Sequence, residues 1–149
     1  MIRELLTVCL ILAGTCRADN IYSNFGAGNT FDPTTGVVIS SNTGDQRPSF
    51  AFTPANGESL TEIDFVTSIG SIGDANQVTV TLSDDAAGVP GNTLASMTFT
   101  GLMGIEGSTV NPPSIIQWLL QSPQAVGADL QYWVTFDAPS PGVSSGIPM

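Results

Sequence analysis

The chain has 149 residues, 42% of them hydrophobic, with 13 acidic and 3 basic side chains, no histidine and a net charge of −10. That length suits one domain with a real core. The acidic balance excludes nucleic-acid binding through phosphate contacts, which needs several Lys and Arg, and argues against adsorption to an anionic membrane surface.

The first element is a leader. Arg3 opens it, the apolar run Leu5 to Gly14 follows, and Thr15-Cys16-Arg17-Ala18 closes it. This layout predicts a cleavable signal peptide over 1–18, too short for a permanent span of about 20 residues. Cleavage leaves 131 residues in which Arg47 stands against twelve acids, a net −11. Cys9 and Cys16 both fall in the leader, so the exported body must be held by its core without a disulfide. A lipidated Cys16 is the lesser alternative, because Thr15 and Arg17 fit a lipoprotein box poorly.

The body, 19–137, reads as short strands between turn signals. Gly36 to Ser41 is followed by Asn42-Thr43-Gly44-Asp45. Ser49 to Thr53 puts Phe50 and Phe52 on one face and ends at Pro54. A strand from near Leu60 carries Ile63, Phe65, Thr67 and Ile69 on one face, closed by Gly70. Val78, Val80 and Leu82 alternate with Thr79, Thr81 and Ser83, the pattern of a half-buried strand. Asp84 to Gly91 is a long turn leading to Leu94 to Thr100, with Met97 and Phe99. Ile115 to Leu120 is a short apolar run flanked by Pro112-Pro113 and Pro123, better read as strand than helix. Leu130, Tyr132, Val134 and Phe136 line a last face, with Trp133 and Thr135 opposite.

These are about 7–8 strands and no helix, which predicts an all-β chain, an antiparallel β-sandwich of jelly-roll type. Phe50, Phe52, Phe65, Phe99, Trp118, Tyr132 and Phe136 are the expected large core residues. The Pro/Gly/Ser-rich tail, 138–149, reads as a linker.

Several pieces in order resemble the choice-of-anchor R domain family, exported bacterial proteins that often carry a PEP-CTERM sorting tail. They are Ile21 to Gly26 with Asn29-Thr30-Phe31, Ala51-Phe52-Thr53-Pro54, Leu60 to Phe65, Val80 to Leu94 with its acidic turn and Gly-Val-Pro-Gly, and Leu130 to Val134 with its Tyr-Trp pair. The resemblance spans roughly 21 to 137 and implies a secreted or cell-surface bacterial sandwich, tethered by an interchangeable C-terminal anchor and without a catalytic role. The chain shows no Pro-Glu-Pro motif, apolar span or basic end after the tail. This points to a truncated sequence whose anchor lies beyond Met149, or to an anchor lost.

The residue inventory narrows the chemistry. With no His, Lys or Cys after Ala18, no Ser–His, Ser–Lys or thiol nucleophile can be assembled, and zinc, copper and haem sites fail likewise. Glu62 and Asp64 share a strand face and could form a carboxylate pair of the glycosidase kind, but the solvent face opposite Ile63 and Phe65 is their expected place. Calcium is the metal chemistry left open, through Asp74 with Asn76 and Asp84 with Asp85 in turns. Trp133 and Trp118 are the candidates for an aromatic platform that stacks on sugar rings, with burial under a loop as the competing role. The expectation is therefore a non-enzymatic exported surface or matrix domain, the alternative a carbohydrate-binding module, its partner an extracellular polysaccharide.

Overall fold

A computed structural model describes residues 25, 28, 30–32, 36–39, 46–70, 75–138 and 145–148. The predicted leader, 1–18, lies outside them. Among the described residues ten strands follow in chain order: β1 (Gly36–Ile39), β2 (Ser49–Phe52), β3 (Glu58–Val66), β4 (Ser68–Ile69), β5 (Gln77–Asp85), β6 (Pro90–Thr100), β7 (Gly104–Ile105), β8 (Ile115–Val126), β9 (Tyr132–Asp137) and β10 (Ser145–Pro148). No helix occurs among the described residues.

The strands form a four-stranded sheet in the order β2-β9-β5-β6, an antiparallel pair β3-β8, and a second four-stranded sheet, β1-β10-β4-β7. All pairings are antiparallel except the short β4-β7 contact. Alternation decides which side of each strand is buried. Val78, Val80 and Leu82 of β5, flanked by β9 and β6, are fully buried at 0% exposure. Phe65 of β3 meets Phe99 of β6 edge-on at 5.2 Å and Phe136 of β9 at 5.3 Å. Phe99 in turn meets Trp118 of β8 at 6.4 Å. These contacts lay the β3-β8 pair on the inner face of β2-β9-β5-β6, an arrangement consistent with a β-sandwich. Only Thr67 separates β3 from β4, so one chain segment joins that pair to the second four-stranded sheet.

All seven predicted aromatics belong to this core, Phe50 as a half-buried residue packed against it. Four details differ from expectation. Strand β8 does not stop at Leu120 but continues to Val126, because a register shift opposite Leu60 and Glu62 accommodates Pro123, which has no N–H to give a ladder. Leu130 is 57% exposed: β9 begins at Tyr132, and Asp129, at φ 58°, turns the chain just before it. Met97 lies on the apolar side of β6 yet is 43% exposed, since β6 is the last strand of its sheet. The segment read as a linker contributes β10, paired to β1 and β4.

Candidate functional site

The outward side of β2-β9-β5-β6 is built from the residues that alternate with the core. Its register sets Ser49, Thr135, Thr81 and Ser96 in one row across the four strands. A neighbouring row holds Asp137, Thr79 and Thr98, and a third holds Ala51, Trp133 and Ser83. Hydroxyls meet across the strands: Ser49 Oγ and Thr135 Oγ1 at 2.8 Å, Thr79 Oγ1 and Thr98 Oγ1 at 2.8 Å, Thr81 Oγ1 and Ser96 Oγ at 3.0 Å. Arg47 Nε lies 3.3 Å from Asp137 Oδ1, so the carboxylate in these rows is paired with a cation. β-branched residues with short polar groups suit a strand whose one side faces water.

At one end of this face the β5-β6 turn fixes an aromatic side chain. Ala87 and Gly88 both have positive φ, 59° and 88°, which is the type I′ hairpin pattern. The Ala86 N–H donates to the Val89 carbonyl at 2.8 Å. Asp85 then works on both sides of the hairpin. Its carboxylate accepts the Gly88 N–H at 3.1 and 3.2 Å, the Trp133 indole Nε1–H at 2.8 Å and the Gln131 amide Nε2–H at 3.3 Å. Trp133 is paired in the ladder with Ser83, two residues before Asp85. The indole must therefore run along the sheet surface from Ser83 towards Asp85. Ser83, its ladder partner, is only 3% exposed although it lies on the outward side. Trp133 itself stays half-buried, leaving part of the ring towards solvent.

Asp84 makes a separate grip. It accepts the Asn92 backbone N–H at 2.5 Å and the Asn92 side-chain amide at 2.9 Å. Position 91 is glycine for a local reason: a Cβ there would collide with the Asp84 carboxylate and crowd Ala86.

The structure thus brings Asp85 and Trp133 together and separates the other candidates. Trp118 sits at 3% exposure in the core, so no sugar ring reaches it; this corrects its candidacy as a platform residue. Asn76 clamps the backbone of Met103, receiving its N–H at 2.9 Å and donating to its carbonyl at 2.7 Å. Asp74 lies outside the described residues. A cation at Asp84 or Asp85 would have to compete with the N–H donors just named. Among the described residues no three His, Cys, Asp or Glu side chains converge as a metal group. Gln131 and Asn92 were missed by sequence reasoning. Gln131 shares the outward parity of Trp133, but only the β5-β9 register shows that both point at Asp85.

The carboxylate pair takes a different form on the outward side of β3-β8. Asp64 is opposite Gln117 in the ladder, and the Gln117 amide donates to Glu62 Oε1 at 2.9 Å. Asp64 Oδ1 is enclosed and has no hydrogen-bond partner. Burial raises the Asp64 pKa to about 6, helped by a hydrogen bond and the negative charge of Glu62 and opposed by Gln117. No protein-family model matches this chain, and comparison with curated proteins and with solved structures gave no match.

Proposed function

We propose that this chain is a non-enzymatic, exported β-sandwich of jelly-roll type that binds a carbohydrate on the outward face of β2-β9-β5-β6, at Trp133. The observation that carries the reading is the indole held by Asp85 on the outward side of the sheet, where its ladder partner is Ser83. A flat, pre-oriented aromatic ring stacks on the apolar face of a sugar at little entropic cost. The Asp85 carboxylate and the Gln131 amide lie beside it as an acceptor and a donor for sugar hydroxyls. The absence of His, Lys and Cys after Ala18 supports a binding rather than a catalytic role. The layout of 1–18 supports export, and the choice-of-anchor resemblance supports a bacterial surface or a polysaccharide-rich matrix as its place.

The test is retention of the full chain on insoluble cellulose, chitin and mannan, comparing wild type with Trp133→Ala. Wild type should be retained on at least one, and Trp133→Ala should pass through while keeping its β-sheet circular dichroism. Failure of wild type on all three, or equal retention of the variant, would overturn the reading.

A further inference from the structure

We infer that the ligand is a neutral, extended polysaccharide chain lying along β9 and β5, with one sugar on Trp133 and the next ones over the hydroxyl rows. This rests on the glycan reading of Trp133 and adds the class and direction of the ligand.

Three observations point the same way. First, the rows succeed one another in a line. Trp133 and Ser83 are followed along the strands by Thr135 and Thr81, then by Asp137 and Thr79. Successive outward residues on a strand are about 6.7 Å apart and neighbouring strands about 4.8 Å. The three rows therefore cover more than one sugar ring, and a ligand that ends at Trp133 would leave two of them unused.

Second, the hydroxyls are matched to sugar hydroxyls. Each Ser or Thr has one donor and two acceptor positions. The pairs Thr81–Ser96, Thr79–Thr98 and Ser49–Thr135 use one donor within each pair. The Ser49–Thr135 and Thr79–Thr98 pairs each still offer one donor and further acceptors, while Ser96 also donates to the Val80 carbonyl at 3.3 Å, so the Thr81–Ser96 pair offers acceptors. A sugar chain, whose hydroxyls both give and take, meets that supply along its length.

Third, charge selects against acidic glycans. The chain carries −10 overall. Asp85 closes one end of the line, and Arg47 is already engaged by Asp137 at the other. A uronic-acid or sulfated chain would bring carboxylates or sulfates to a face that has no uncommitted cation among its described residues.

The test uses neutral oligosaccharides of glucose, xylose and mannose, each from two to six sugars, with alginate oligosaccharides of the same lengths, measured by calorimetry on the full chain. Threonine-to-valine changes keep shape and strand preference while removing the hydroxyl. Wild type should bind at least one neutral series with affinity that rises with length, and should bind alginate more weakly. Thr81→Val and Thr135→Val should each weaken the longer ligands about fivefold, the scale of one hydrogen bond, and leave the disaccharide unchanged. Thr79→Val should act only on the longest. Affinity independent of length, silent valine variants, or preference for alginate would overturn the inference. If Trp133→Ala abolishes binding while the valine variants are silent, the glycan reading stands and the extended chain is excluded. If Trp133→Ala binds every length like wild type, the glycan reading itself fails.

Discussion

The outward side of β2-β9-β5-β6 and the outward side of β3-β8 are built by the same alternation, and each sets a carboxylate among polar neighbours. Their chemistry nevertheless diverges. Asp85 is met by three N–H donors, from Gly88, Gln131 and Trp133, and those donors come from three points of the fold. Asp64 is met by the charge of a second carboxylate, Glu62, which also accepts the Gln117 amide, and one Asp64 oxygen has no partner. The number of acids is not what separates the two faces. Donors aimed at Asp85 let it orient a neighbouring side chain, while burial and the charge of Glu62 make Asp64 hold its proton.

Both faces rest on one floor, so the largest expected effect should not distinguish them. Phe65 belongs to β3 but packs on Phe99 and Phe136 of the other sheet, and it is 4% exposed. Phe65→Ala should lower stability by about 3 to 5 kcal/mol through lost burial and the cavity left behind. Urea unfolding measures this, and a loss under about 1 kcal/mol would mean that the two sheets do not share this core. Next in size is Asp85→Ala, which removes the common acceptor of one face only. It should cost about 1 to 2 kcal/mol, the scale of hydrogen bonds to a charged group near the surface. Unaltered Trp133 fluorescence in that variant would show that the carboxylate does not orient the indole.

How far the sequence was legible follows from the same contrast. Alternation over Val78 to Leu82 and over Tyr132 to Phe136 needs only local spacing, and it places the buried residues correctly. Asp84 to Gly91 announces a turn by composition alone, but the long turn it predicts is a tight one over Ala86 to Val89, with β5 reaching Asp85 and β6 starting at Pro90. What could not be read is pairing: nothing near Asp85 says that residue 133 lies one strand away, or that Gln131 shares its acceptor. Alternation continued through Leu130 predicts it on the inner face, yet β9 begins only at Tyr132, after Asp129 adopts a left-handed backbone conformation. The Pro123 boundary failed because a register shift absorbs the missing donor, a property of two strands together. The facing of Trp118 is set by its ladder partner Ile63, which the local sequence does not show.

A smaller effect probes the hairpin that holds Asp85 in place. Ala87 sits at φ 59°, a conformation that disfavours residues carrying a Cβ, while Asn tolerates it. Ala87→Asn should therefore stabilise the protein by about 0.5 to 1 kcal/mol. A destabilised variant would argue against a type I′ turn at this hairpin.

The smallest effect is on the other face and depends on pH. The Asp64 pKa stands at about 6 in the fold against 3.8 as its ordinary value, raised first by burial and then by Glu62. The native state thus holds this proton more tightly than the unfolded chain does. The stability it lends is complete below about pH 3.8 and is lost as pH rises through about 6. Asp64 is only half-buried, and screening through its open part keeps the change on the scale of about 1 kcal/mol. Asp64→Asn cannot titrate, so its melting temperature relative to wild type should climb between pH 4 and pH 7. Glu62→Gln removes the neighbouring charge and should move the wild-type transition to lower pH. The matched control is Asp85→Asn on the opposite face, whose carboxylate meets N–H donors rather than a second acid. Parallel melting curves for wild type and Asp64→Asn across that range would mean that burial and Glu62 do not raise the Asp64 pKa, and the contrast between the two faces would collapse.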